Sequence, residues 1–273
     1  MHSPRSENRI VRLPENCLLE GTSMIADLDD QACSLSMRER DLFREQGFLG
    51  PYTLFTPEEM DEIRPGIERI LETDAPDHAV RCHNRHLDEK LIHDISTHPA
   101  ILDRMTALYG NDLLIWRTNF FIKEKGAKEI PWHQDFNYWP LEPPIIVSCW
   151  IAIDQATQEN GCVQMIPGSH RKVVPHVRAT KEMQFGEMAD SNYYDESDAI
   201  NLEMRPGEFI IFNERTLHHS EPNYPDKGRI GLAVRVIPPI VKVLSWDSPN
   251  HKLVLIRGED SLGQNELVEP PVV

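Results

Sequence analysis

Long apolar runs are missing from this sequence: no stretch approaches the roughly 18 apolar residues that cross a bilayer as a helix. Paired cysteines are missing too. The five cysteines, at 17, 33, 82, 149 and 162, are odd in number and include no Cys-x-x-Cys, which disfavours a zinc ribbon or a disulfide framework and suits a reducing compartment. Basic charge is scarce. With 28 Lys and Arg against 44 Asp and Glu, the formal net charge is -16. That balance argues against a nucleic-acid partner, whose phosphates need a basic face, and against an anionic membrane surface. The start, Met1-His2-Ser3-Pro4-Arg5, lacks the apolar stretch of a signal peptide, so the expected location is cytoplasmic. What remains is an ordinary globular composition, 40% hydrophobic and 26% charged, in a chain long enough to bury a sizeable core.

Residues 1–36 mix charge, Pro and Ser with little periodicity and read as a flexible N-terminal arm; residues 37–273 read as a single domain. Helical patterns come first. "SMRERDLFREQGF" carries Leu42, Phe43 and Phe48 as apolar contacts and ends at Gly47. "TPEEMDEIRPGIERILETD" has Thr56 as N-cap, Pro57 at the first helical position and Ile63, Ile67, Ile70 and Leu71 along one face, with a break or kink expected at Pro65. "HPAILDRMTALYG" is a third helix closed by Gly110. After Gly110 the chain becomes short apolar or alternating runs separated by Gly, Pro, Asn and Asp. The expectation is a mainly β protein with flanking helices, its core a double-stranded β-helix (jelly roll, cupin-like) over about 111–240, with a strand-like "KLVLIRG" in the tail.

One short stretch concentrates chemistry: "IPWHQDFNYWP", residues 130–140. A His-x-acid pair by itself means little. Twelve histidines among 44 acids make about two such pairs by chance, and there are three: His86/Asp88, His133/Asp135 and His219/Glu221. Context separates them. His133 and Asp135 end a strand-like run, where alternate side chains share a face, and imidazole plus carboxylate suits a metal such as Fe(II). His86/Asp88 sits in a charged stretch leading into helix, and reads as a solvated turn. A further histidine pair, His218-His219, follows the buried-strand pattern "GEFIIFN", and Arg229 comes eleven residues after His218. A forked, always-charged Arg beside a metal is suited to the far carboxylate of a dicarboxylate cosubstrate.

These residues carry a family likeness. From "EQGFLG" through "WHQDFNYWP", "CWIAIDQATQENGCVQMIPGSHR", "RPGEFIIFNERTLHHSEPN" and "GRIGLAVRV", the chain resembles the phytanoyl-CoA dioxygenase family of Fe(II)- and 2-oxoglutarate-dependent oxygenases. The resemblance implies His133, Asp135 and His218 as catalytic iron ligands, with O2 as co-reactant. It implies Arg229 and Ser220 on the 5-carboxylate of 2-oxoglutarate, and Trp150 beside the cosubstrate. Asn119, on the alternating face Arg117, Asn119, Phe121, Lys123, looks like a cosubstrate or substrate contact. His219 stands where the family usually has Gly, so the third ligand could be shifted by one residue.

Plainer roles sit beside these. Asn160-Gly161 and Pro167-Gly168-Ser169-His170 are turn chemistry, with His170 structural. Cys149 and Cys162 read as buried and inert. Phe136, Tyr138 and Trp139 could be core or substrate wall; Arg117, Phe136 and Trp139 are the substrate-contact candidates, and His83 to His86 lie where a cavity mouth is expected. A coenzyme A thioester would want basic groups around the mouth, and no Lys/Arg cluster is evident in the linear sequence, which favours a small-molecule substrate such as a natural-product intermediate. The alternative is a cupin-like metal protein or isomerase without oxygenase activity, which would not need Arg229 and Ser220.

Overall fold

The computed structural model describes residues 34–73, 82–224, 227–246 and 251–272. The expected arm over 1–36 lies almost wholly outside them. Among the described residues, no helix is long and apolar enough to cross a membrane.

Both early helices start where their caps dictate. Ser36 accepts from the Glu39 N–H while Glu39 accepts from the Ser36 N–H, a reciprocal box that opens α1 (Met37–Gln46); Gly47 closes it at φ 88°. Thr56 and Glu59 repeat the device at α2 (Pro57–Glu72). That helix runs through Pro65 without the expected break. Two shorter helices follow, α3 (Lys90–Ser96) and α4 (Pro99–Tyr109).

The β core is two antiparallel sheets. The larger holds β1 (Phe48–Thr53), β2 (Leu113–Lys123), β5 (Val147–Ala152), β10 (Glu208–Asn213), β12 (Arg229–Ile237) and β14 (Val254–Arg257), in the order β1-β10-β5-β12-β2-β14. The smaller holds β3 (Ile130–His133), β6 (Val163–Met165), β9 (Ile200–Leu202) and β11 (His218–Ser220), in the order β3-β11-β6-β9. Two small antiparallel pairs, β4 (Leu141–Glu142) with the distant β13 (Lys242–Val243) and the consecutive β7 (His176–Arg178) with β8 (Glu187–Ala189), complete it. This is the jelly-roll architecture expected from residues 111–240, widened by an edge strand from each side. β1 was not evident in the sequence because Gly50-Pro51 reads as a turn. The edge accommodates it as a register shift between Leu49 and Tyr52.

The period-2 alternation of the large sheet sorts two cores. Cys149, Ile151, Phe209, Ile211, Leu232, Val234 and Val236 pack against the helices through Met60, Ile67, Ile92, Ile101 and Met105. The opposite face, with Trp150, Ala152, Ile210, Phe212 and Ala233, meets Val163, Met165 and Leu202 of the small sheet. Every residue of β12 is buried, so its inward polar side chains lie between the sheets.

Candidate metal centre and cosubstrate pocket

His133 ends β3 and pairs directly with His218 on β11. A 3-10 turn over Asp135–Tyr138 begins immediately after, and brings the Asp135 carboxylate back over the two rings. Asp135 Oδ1 stands 3.5 Å from His133 Nε2 and 3.7 Å from His218 Nε2. One ligand atom from each of the three residues lies within 4.8 Å of the others, the only such group of three found among the described residues. The intervening Gln134 points the other way and anchors the turn. Its amide donates to Lys172 O (2.7 Å) and Arg215 O (2.6 Å) and accepts from Val174 N (2.8 Å).

The donor set fits a divalent metal. His133 Nδ1 lies 2.7 Å from Pro131 O, and His218 Nδ1 lies 2.9 Å from Thr216 O. A carbonyl can only accept, so each Nδ1 carries the proton and each Nε2 presents a lone pair to the common centre. Protonation is disfavoured as well: burial, then the neighbouring His133, lowers the His218 pKa to about 3. Burial alone would raise Asp135, but the charge of Arg235 and the two histidines hold it down to about 2. Two imidazoles and one carboxylate, with Asp135 Oδ2 buried and lacking a hydrogen-bond partner, match the two-His-one-carboxylate face used for Fe(II).

His219 takes the other face of β11. Its ring stacks on Trp132 at 4.9 Å, with Nδ1 3.2 Å from Gln164 Oε1 and Nε2 3.1 Å from Glu129 Oε1. It borders a separate polar cavity of about 280 Å³ with Glu129, Gln164 and Glu221. Neighbouring residues on a strand point to opposite faces, so His218, and not His219, joins His133 and Asp135.

Ser220 returns to the inner face and meets Arg229. Arg229 Nη2 donates to Ser220 Oγ at 3.1 Å and to Gly161 O, Nε donates to Asn160 O at 3.2 Å, and Nη1 is buried with no partner. Ser220 Oγ donates to the same Gly161 O at 2.7 Å. Gly161 is therefore more than turn chemistry: at φ 75° its carbonyl serves both groups, and a Cβ there would run into Glu221 O. Trp150 lies under the guanidinium, 5.1 Å from its carbon, seated on Gly231, where a Cβ would fall inside the indole. Burial lowers the Arg229 pKa to about 10, which leaves it charged at neutral pH. A small cavity of about 50 Å³ joins His133, Asp135 and His218 to Ser220, Arg229 and Trp150, walled by Phe121, Val163, Phe185 and Phe212. A carboxylate at one end and a metal chelate at the other fit a 2-oxoacid with a distal carboxylate, and the orphaned Nη1 is the donor it would satisfy.

A larger cavity of about 530 Å³ opens from Asp135 and is lined by His83, Arg117, Asn119, Lys123, Trp139, Arg235 and others. Arg117 and Trp139 both line it. Asn119 faces it too, and is absent from the lining of the Arg229 pocket. Phe136 lines neither cavity: the 3-10 turn replaces strand alternation and ties the Phe136 N–H to Glu214 O at 3.1 Å.

Of the four residues at the expected mouth, His83 lines the cavity, while Asn84, Arg85 and His86 are buried in the fold, Arg85 bonding Ile70 O (2.7 Å) and Asp88. The structure also corrects the expectation that basic residues do not cluster. Arg117 and Lys123 of β2 line this cavity together with Arg235 of β12, which is distant in the chain, because the two strands are adjacent and paired. Arg235 and Phe185 were not identified from the sequence. The even spacing from Arg229 to Arg235 on one strand was the available signal for the first. Phe185 sits in an irregular connection between β7 and β8, its ring 5.0 Å from His133, and no local pattern marks it.

Comparison with known proteins agrees with this geometry. The family model Phytanoyl-CoA dioxygenase (PhyH) matches residues 43–231, well over half of the chain. The chain is 29% identical over 167 residues to the protein named Dioxygenase lolE1 of Epichloe uncinata, covering 61% of this chain and 57% of that protein. It is 23% identical over 217 residues to the peroxisomal phytanoyl-CoA dioxygenase of Homo sapiens, covering 69% and 64% respectively. The chain thus spans less than two thirds of the length of these curated relatives. Among solved structures, it is similar to the apo form of the non-heme monooxygenase ThoJ (TM-score 0.72, 28% identity, 85% of this chain and 88% of that one). It is also similar to CytC3 with Fe(II) and alpha-ketoglutarate, that is, 2-oxoglutarate (TM-score 0.68, 29% identity, 86% and 94%). With a family match that contains the metal triad, Ser220 and Arg229, the chain belongs to the phytanoyl-CoA dioxygenase family.

Proposed function

We propose that this chain is an Fe(II)- and 2-oxoglutarate-dependent dioxygenase that oxidises a C–H bond of a small-molecule substrate, with hydroxylation as the expected outcome. The observation that carries the reading is the joining of two features in one pocket. A two-His-one-carboxylate face lies beside a buried Arg229 whose Nη1 lacks a partner. A metal protein without oxygenase activity has no use for the second feature.

His133, Asp135 and His218 would hold Fe(II), leaving open positions on an octahedral ion. Arg229 and Ser220 would take the distal carboxylate of 2-oxoglutarate through charge-assisted bonds. When bound, Fe(II) with 2-oxoglutarate and O2 supplies the oxidant, and succinate and CO2 are released. Pro131 O and Thr216 O keep the two imidazoles in the ligating tautomer. Phe121, Phe185 and Phe212 keep water from the small cavity. Asp135 fills the coordination position a halide would need, so the expected product is oxygenated and not halogenated.

The test is incubation of the Fe(II)-loaded protein with 2-oxoglutarate, O2 and a fractionated metabolite pool. Substrate-dependent succinate release, with a product one oxygen heavier, is expected. A protein that binds Fe(II) but not 2-oxoglutarate, and gives a product of unchanged mass with no succinate, would favour the isomerase alternative.

A further inference from the structure

β12 carries two arginines with two very small residues between them on the same inward face: Arg229, Gly231, Ala233, Arg235. Register sets each arginine opposite another basic side chain on β2: Arg229 against Lys123, whose pKa burial and then Arg229 lower to about 7, and Arg235 against Arg117. Like charges directly opposite on a sheet are destabilising, more so where water is excluded. In the first pair Arg229 lines the cosubstrate pocket, while the Lys123 ammonium donates to the carbonyls of Lys128, Ser220 and Glu221. In the second pair Arg117 lines only the larger cavity, whereas Arg235 lines both that cavity and the small one beside the metal centre, and it lies beyond the stretch 43–231 that the family model matches.

Arg235 is 5% exposed, and its Nε and Nη1 are buried without hydrogen-bond partners. Its nearest acid is Asp135, with Nη2 3.7 Å from Oδ2, too long for a hydrogen bond. The guanidinium carbon stands 4.6 Å from the Trp139 ring centre and 5.8 Å from that of Phe121, so the group is held between aromatic rings. A counter-ion role for Asp135 alone would leave the Nε and Nη1 donors unmet. A fixed, partly dehydrated guanidinium with open donors in a cavity of about 530 Å³ is a receptor for a planar oxyanion.

We propose that Arg235, with Arg117 beside it, binds an anionic group of the substrate, a carboxylate by class, and that the oxidised C–H bond lies within a few bonds of that group. The identity of the ligand as substrate rests on the oxygenase reading; the anion site itself does not. Asp135 touches both centres, which places the anion next to the metal.

The test uses matched probes that differ in charge and little in shape: acetate with acetamide, and phenylacetate with phenylacetamide. Binding is read by tryptophan fluorescence, since Trp139 adjoins Arg235, at saturating 2-oxoglutarate with Fe(II) and without O2. Each carboxylate should bind at least about tenfold more tightly than its amide, as expected for bonds to a charged donor. Arg235→Gln should reduce that preference to about twofold or less, Arg235→Lys should keep part of it, and 2-oxoglutarate affinity should stay within about threefold in both. Equal binding of acid and amide by the unaltered protein, or no carboxylate binding in the millimolar range, would overturn the proposal without any variant. So would a preference that survives in Arg235→Gln, or a loss of 2-oxoglutarate affinity as large as the loss of preference, which would assign Arg235 to the cosubstrate. If the Fe(II)–2-oxoglutarate complex never forms, the oxygenase reading fails separately, and the same titrations on metal-free protein still decide the anion site.

Discussion

Replacing His218 and His219 in turn separates a metal ligand from its neighbour. The two side chains share a backbone segment but face opposite sides of β11. His218→Ala removes one of three ligands and leaves a buried carboxylate facing one imidazole. Loss of a group that merely supports a ligand costs about 10- to 100-fold in metal affinity, so loss of the ligand itself should cost at least about 100-fold. His219→Ala removes contacts to Gln164 and Glu129 and the stack on Trp132, none of which touches the metal centre. Its cost falls on stability, about 2 kcal/mol, or a drop of roughly 4–8 °C in Tm. Iron content after anaerobic loading and desalting, measured beside thermal melts, reads both effects. Iron lost in His219→Ala and kept in His218→Ala would refute the assignment by one residue, and Ser220 would fall with it.

Three further outcomes follow from other contacts. Arg229→Ala should leave Fe(II) binding near normal and raise the 2-oxoglutarate concentration needed for half-saturation by about 10- to 100-fold, because a bond to a charged group contributes roughly 1.5–3 kcal/mol; an unchanged titration would remove Arg229 from the pocket. Gly231→Ala should displace Trp150, lower stability by about 1–3 kcal/mol and weaken 2-oxoglutarate binding, measured by melts and the same titration; a variant with normal stability and affinity would show that the indole has room elsewhere. Burial pushes Glu214 up to about 7 from an ordinary 4.5, so its contribution to stability is full below the unfolded value and is lost as pH rises through 7. Glu214→Gln should therefore flatten the stability profile between pH 5 and 8 and stabilise the protein at the upper end, by at most about 3 kcal/mol; parallel profiles for the two proteins would contradict it.

The candidate metal ligands were legible because residue type, order and spacing all bear on them. His133 and Asp135 stand two apart at a strand end, and Arg229 lies eleven past His218. Strand alternation put His218 and His219 on opposite faces, and the pairing of His218 with His133 decides which of them faces inward. What escaped were properties of pairing between distant segments. Arg235 joins Arg117 only because β2 and β12 are paired, so a scan for local basic clusters could not bring the two guanidiniums together. Phe136 is a sequence candidate because it directly follows the His-x-Asp pair, but the strand ends at His133, and in the 3-10 turn over Asp135–Tyr138 Phe136 lines neither cavity. β1 escaped because Gly50-Pro51 has turn chemistry, which an edge strand tolerates.

The most direct measurement is the visible spectrum of the protein under anaerobic conditions as Fe(II) and then 2-oxoglutarate are added. If His133, Asp135 and His218 hold the metal and Arg229 seats the cosubstrate, a weak charge-transfer band develops only after 2-oxoglutarate is added, and it is absent from His218→Ala. A protein that retains stoichiometric Fe(II) but shows no such band at saturating 2-oxoglutarate would contradict the account.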